Sequence, residues 1–156
     1  MEKLVALMSI AACALAGDGK CRALALSGGG NKGAWEAGVL WGLLHYGDPA
    51  DFAWDVSSGI SAGALNTAFA AVWETGTETD MTETLSEIWA SITDNSDIYV
   101  PWGDSIARAL FFEPSLVNTD PGLQFLKDHI EPYDSIKRRF TNGAVDVETG
   151  EFVTMD

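Results

Sequence analysis

Compact apolar runs and helical-period patterns alternate along this chain. Cys21 to Ser27 is a short apolar run behind the polar Asp18-Gly19-Lys20 and ahead of three glycines, which predicts a buried strand. From Gly33 to Tyr46 apolar residues recur at helical spacing (Ala34, Ala37, Val39, Leu40, Leu43, Leu44), and Gly47-Asp48-Pro49 ends the pattern. Phe52 to Ser58 predicts a second strand and Ala62 to Glu74 a second helix. Asp80 with Glu83 resembles a capping box ahead of a third helix, Met81 to Ile92. Asp120 and Pro121 read as N-cap and first residue of a helix running to Ile130. Thr141 to Val147 and Glu151 to Met155 predict two strands joined by Glu148-Thr149-Gly150. The strand–turn–helix alternation points to an α/β layered fold with a mainly parallel sheet. The aromatic stretch from Tyr99 to Phe112 is expected to pack in the core in preference to forming a lipid-facing rim.

Composition narrows the partners. A chain of 156 residues is at most one domain, and 47% hydrophobic content makes it a globular one. Nine Lys and Arg against 23 Asp and Glu give a formal net charge of −14. Nucleic acid is therefore excluded as a partner, because phosphate binding needs basic side chains. General attraction to anionic membranes is disfavoured for the same reason, so any lipid contact is apolar and local. No His/Cys cluster or EF-hand spacing points to a metal, and no cofactor is expected.

The amino terminus differs from the rest. Lys3 precedes an apolar run from Leu4 to Ala16, with small residues at Ala14 and Ala16. The run is too short to span a bilayer, which takes roughly 20 residues. Residues 1–16 read as a cleaved secretory signal and 17–156 as the mature domain, destined for secretion or the secretory-pathway lumen. Cys13 leaves with such a leader, so the mature chain keeps Cys21 alone. Cys21 is then either a disulfide partner or a small residue at a strand start.

Two glycine-rich turns, about thirty residues apart, carry the chemistry. Gly59-Ile60-Ser61-Ala62-Gly63 fits the nucleophile elbow G-x-S-x-G, in which a sharp strand-to-helix turn exposes a serine hydroxyl. The positive end of the following helix favours an oxyanion there, and the Ala62 N–H is placed to donate to it. A serine that merely caps the helix start is the bland alternative. Gly28-Gly29-Gly30-Asn31-Lys32-Gly33 permits close backbone approach and a run of free N–H groups suited to an anion. Gly28, Gly30 and Gly33 also satisfy G-x-G-x-x-G. The second strand, however, ends in Ser57-Ser58-Gly59 without the acidic residue that a dinucleotide site requires. A phosphate-binding P-loop fails because Lys32 precedes Gly33.

Ser27-Gly28-Gly29-Gly30-Asn31-Lys32-Gly33-Ala34 followed by Gly59-Ile60-Ser61-Ala62-Gly63-Ala64-Leu65-Asn66 resembles the patatin-like phospholipase family. The resemblance runs from Arg22 to the C-terminus and weakens after Asn66. It implies a three-layer α/β/α sandwich and hydrolysis of lipid acyl esters. It makes Ser61 the nucleophile, Gly28, Gly29 and Gly30 the oxyanion hole with Ala62, and Gly33, Gly59 and Gly63 the supporting glycines. Lipid or acyl-ester substrates and transient contact with a lipid surface follow from it.

The resemblance also implies a Ser–Asp dyad whose Asp lies in a later Asp-Gly-Gly or Asp-Gly-Ala motif. The single Asp-Gly here, Asp18-Gly19, precedes the first strand. Asp146 lies in a hairpin strand and Asp156 is the last residue. The expectation is a patatin-like domain truncated before its dyad Asp, and inactive alone because an unassisted serine is a weak nucleophile. A different class of protein fits the same absence: a catalytically inactive lipid- or acyl-binding protein that keeps the pocket. Of the two histidines, His45 and His129, only His129 lies after the serine, where an α/β-hydrolase-type triad would place it.

Overall fold

The computed structural model describes residues 19–103, 106–113 and 115–156. The leader expected over residues 1–16 lies outside them. Strands β1 (Ala23–Leu26), β2 (Val56–Ile60), β3 (Arg139–Val145) and β4 (Phe152–Met155) form one sheet in the order β1-β2-β3-β4. The first three are parallel, and β4 closes the described edge as an antiparallel hairpin partner of β3. The hairpin turn uses Gly150 at φ 74°.

Five α-helices lie between the strands: α1 (Gly33–Tyr46), α2 (Ala62–Ala71), α3 (Glu78–Ser91), α4 (Ile106–Phe112) and α5 (Asp120–Ile130). Both crossovers step the same way across the sheet, and connections of one hand then leave their helices on one face. Helix α2 packs on β1, β2 and β3, while α1 packs on α2 and α3. Leu24 of β1 shares a buried cluster with Leu40 and Leu44 of α1, Phe69 of α2, and Met81 and Leu85 of α3. Each of these large side chains contributes roughly 1.5–3 kcal/mol when fully buried. Ser57 and Gly59 are buried toward the helices, whereas Ala25, Ser58 and Ile60 on the opposite face are exposed. The described residues thus supply a mostly parallel sheet and the helical layer on one of its faces, an α/β arrangement.

Helix α1 begins and ends where its periodicity says, whereas α5 has Thr119, not the expected Asp120, as its N-cap, with Asp120 its first residue. Gly47 ends α1 in an extended conformation; a Cβ there would lie 2.6 Å from both the Leu43 carbonyl oxygen and the Phe52 ring. Elsewhere local chemistry overrides the apolar pattern. Pro49–Phe52 is a 3-10 turn in which the Asp48 carboxylate accepts the Ala50 N–H at 3.0 Å, so β2 starts only at Val56. Asp80 and Glu83 form no capping box, because α3 begins earlier, at Glu78.

The early start of α3 has a tertiary cause. The Glu78 carboxylate accepts the Gly76 N–H at 2.8 Å and pairs with the buried Arg138 at 2.8 Å. Arg138 also donates to the carbonyls of Trp54 (2.9 Å), Trp73 (3.0 and 2.8 Å) and Glu74 (2.9 Å). All five guanidinium N–H groups are therefore placed. This knot ties the entry to β3 to the loop joining α2 and α3.

The aromatic stretch corrects the expectation of core packing. Phe111 and Phe112 of α4 are 77% and 82% exposed, and only Ala109 is buried among the α4 side chains described. At its ends Val100 and Asn118 form an isolated antiparallel bridge. Cys21 is disulfide-bonded. No described helix is long and apolar enough to cross a membrane.

Candidate active site

Ser61 stands between the end of β2 and the first residue of α2, at φ 55° and ψ −123°. Among the described residues it is the one non-glycine with positive φ. Such a conformation costs on the order of 1–3 kcal/mol and persists only where its surroundings enforce it. Two glycines do the enforcing. A Cβ on Gly59 would strike the Gly63 carbonyl and Thr67 Oγ1, and one on Gly63 would lie 2.6 Å from the carbonyl oxygens of Leu26 and Ser27. Strand and helix therefore pass at backbone contact, and the chain must turn sharply at the residue between them. The Ser61 hydroxyl makes no capping hydrogen bond, which removes the bland reading of a helix-capping serine. At the first two helical positions, the N–H groups of Ala62 and Gly63 have no carbonyl of their own helix to bond.

The glycine loop lies against this elbow. A Cβ on Gly28 would sit 3.0 Å from Ser61 Cβ and 3.7 Å from its Oγ. Gly30 adopts φ 58°, a left-handed turn into the 3-10 segment Gly30–Lys32 that leads directly into α1. A Cβ on Gly29 would meet only the side chain of Lys32, at 3.1 Å. Of the three loop glycines, Gly28 and Gly30 are thus the positions where a side chain disturbs the site most.

Asn66 fastens loop and elbow together. It is fully buried on α2; its Nδ2 donates to the Gly33 carbonyl at 3.1 Å and to Glu36 at 3.0 Å, and its Oδ1 accepts from the Trp89 indole at 2.7 Å. The helix after the serine, the helix after the glycine loop and α3 are held through one amide. The Trp89 ring also fills the space beside Gly33, where a Cβ would lie 2.5 Å from it. Asn66, Glu36 and Trp89 are not legible as site-positioning residues from pattern. The available signal was an Asn inside an apolar helix, where its amide needs partners.

Ser61 opens onto a cleft of about 960 Å³. That is near the top of the range of roughly 300–1,000 Å³ typical of small-molecule sites. One wall comes from Leu65 and Phe69 of α2 with Ile88 and Trp89 of α3; the other comes from Ile98, Tyr99 and the apolar face of α5. Gly122 lets α5 approach that wall closely: its N–H donates to Ile98 O at 2.8 Å, and a Cβ would lie 2.7 Å from the same oxygen. A largely apolar cleft that includes a serine hydroxyl and the start of a helix suits an acyl chain and its ester carbonyl.

Acids and bases are distributed unevenly around the cleft. His129 lines it, with Nδ1 2.7 Å from the Phe125 carbonyl. His45 is remote from it on α1, stacked on Trp41 and 3.1 Å from Glu83. Asp146 sits in the β3–β4 turn, where the N–H groups of Thr149 and Glu148 hold its carboxyl below the usual range. Asp156 accepts the Thr141 hydroxyl at 2.6 Å. No described Asp or Glu lines the cleft. Of the other anticipated site residues, Gly30 and Ala62 line the cleft with Ser61, Gly28 abuts the serine, and Gly33, Gly59 and Gly63 form the close contacts beneath it.

No curated protein and no solved structure matches the chain. The family model described as patatin-like phospholipase matches residues 24–149, a span that takes in both glycine turns and most of the sheet. Its members are lipid acyl hydrolases at the level of the family, and this chain belongs to the patatin-like phospholipase family.

Proposed function

We propose that the chain carries the nucleophile and oxyanion hole of a serine lipid acyl hydrolase working by a Ser–Asp dyad. The observation that carries the reading is the strained Ser61, uncapped and pressed against Gly28, in the lining of a largely apolar cleft. Ser61 Oγ attacks the ester carbonyl carbon and passes its proton to the dyad aspartate. The N–H groups of the glycine loop and Ala62 hold the oxyanion. Collapse of the tetrahedral intermediate breaks the ester C–O bond, and the leaving alcohol takes the proton back. Water, deprotonated by the same aspartate, then releases the fatty acid and restores Ser61.

The aspartate belongs to an Asp-Gly-Gly or Asp-Gly-Ala motif that residues 1–156 do not contain. Reaction with a fluorophosphonate, followed by mass mapping, tests this. A chain that carries the motif should be labelled at Ser61 and should hydrolyse esters, and residues 1–156 alone should do neither. Labelling of residues 1–156 would place the base within them, with His129 the first to replace. A second reading, an inactive acyl-binding protein, fits the same apolar cleft, whose described lining holds no Asp or Glu. Fatty-acid binding by a motif-bearing chain that shows no labelling and no turnover would establish that reading instead.

The secretory leader is part of the proposal, resting on Lys3 and the Leu4–Ala16 run. N-terminal sequencing of the mature protein should begin at or near Gly17. The chain's other cysteine, Cys13, lies ahead of that cut. An intact Met1 terminus on the protein recovered from cells would overturn secretion by cleavage.

A further inference from the structure

Trp89 serves two structures at once. With Leu85 and Ile88 it forms the α3 wall of the cleft, and of these three side chains it alone carries a polar atom. That atom, Nε1, donates to Asn66 Oδ1 at 2.7 Å. The six-membered ring lies against the start of α1: a Cβ on Gly33 would be 2.5 and 2.8 Å from two of its atoms and 3.0 Å from Ala62 Cβ. Trp89 therefore holds Gly33 twice. One hold is ring contact; the other runs through Asn66, whose Nδ2 donates to the Gly33 carbonyl at 3.1 Å. The Gly33 N–H in turn donates to the carbonyls of Gly30 and Asn31, which closes the 3-10 turn of the glycine loop.

The same indole borders the cleft and is only partly buried. Surface of a ring that meets no protein atoms lacks the dispersion contacts that would fix it there. An acyl chain in the cleft supplies those contacts. We propose that Trp89 couples filling of the cleft to the glycine loop: a chain packed on the indole holds the ring, and the ring holds Gly33, Asn66 and the turn at Gly30. This rests on the reading of the cleft as an acyl-ester site. It makes Trp89 a positioning residue, because it acts on the oxyanion donors through other groups. An acyl group that covers the indole then gains in the step the loop assists, besides what it gains in binding.

Amide hydrogen exchange on the full chain, with and without saturating palmitate, tests it. Palmitate should slow exchange of the Gly28 to Gly33 amides by about fivefold or more, the low end of ordinary coupling between sites. The Glu148–Gly150 turn, outside the cleft lining, should exchange alike in both states. Trp89→Phe keeps a ring in the wall but removes the donor to Asn66; by calorimetry it should still bind palmitate, and the slowing should be lost. Asn66→Ser cuts the same link at its other end and should lose the slowing too, so the test does not depend on one variant folding. Ile88→Ala, an apolar wall residue, should weaken binding yet keep the slowing once palmitate is saturating. Slowing that survives in the link variants would mean that palmitate shields the loop directly. That result, or binding without slowing in the parent chain, would overturn the proposal and leave the acyl-site reading standing. Failure of the parent chain to bind palmitate would remove that reading and the proposal with it.

Discussion

Ser61→Ala, in a chain bearing the dyad motif, is expected to lower ester hydrolysis by a factor on the order of 10⁶, the loss typical when a serine hydrolase loses its nucleophile. The fold should survive, because the hydroxyl makes no capping bond and the elbow is held by Gly59 and Gly63. An Ala at φ 55° carries the same strain that the serine carries already, so the melting transition should be nearly unchanged. Gly28→Ala is the companion variant. Its Cβ would press on Ser61 at 3.0 Å and shift the loop amides, and losing one oxyanion donor costs on the order of 10²–10³ in kcat. The measurement is kcat on a soluble ester beside a urea titration of each variant. Undiminished hydrolysis after Ser61→Ala would remove the serine from the chemistry altogether.

Arg138→Leu is expected to destabilise the protein by about 3–5 kcal/mol, the cost of leaving a buried ion without its partner. Glu78 would keep one hydrogen bond, from Gly76, but lose the cation that offsets its desolvation. The carbonyls of Trp54, Trp73 and Glu74 would lose the guanidinium together. Against a total of about 5–15 kcal/mol for a typical domain, that is a large fraction. Glu78→Gln should cost less, since the amide oxygen still accepts from Arg138. The double variant with Leu at both positions should recover only part of the loss, because the Trp73 carbonyl loses both of its guanidinium donors while Trp54 and Glu74 keep the hydroxyls of Thr75 and Thr77. Urea unfolding at neutral pH measures all three, and a cost below about 1 kcal/mol for Arg138→Leu would mean that water replaces the guanidinium.

What was legible in the sequence is what local chemistry determines. Helix Gly33–Tyr46 announces itself by spacing and by Gly47-Asp48-Pro49 at its end, and the elbow around Ser61 by two glycines that must be absent of side chains. Phe52 misleads because an Asp-Pro turn outranks its strand preference. Asp80 and Glu83 mislead because the start of α3 is decided by Arg138, sixty residues from Glu78 along the chain. Asn66 with Trp89, like Arg138 with Glu78, joins side chains far apart in sequence, and no window of residues contains both halves of the bond. Phe111 and Phe112 read as core by composition alone; α4 buries Ala109 and leaves both rings exposed, and composition does not say which face a helix turns inward.

The bridge between Val100 and Asn118 separates two parts of the protein that can change at different rates. Ser61, its glycine loop and Asn66 lie outside the bridged segment, and the two hydrogen bonds at the bridge close it off. Insertions, deletions or wholesale replacement between those two residues leave the Ser61 elbow, the glycine loop and Asn66 unaltered in sequence. Loop-closure entropy grows slowly with length, about 0.6 kcal/mol per doubling, so the fold tolerates the exchange. The segment is a natural place to graft a different element while Ser61 and the glycines that hold it stay as they are.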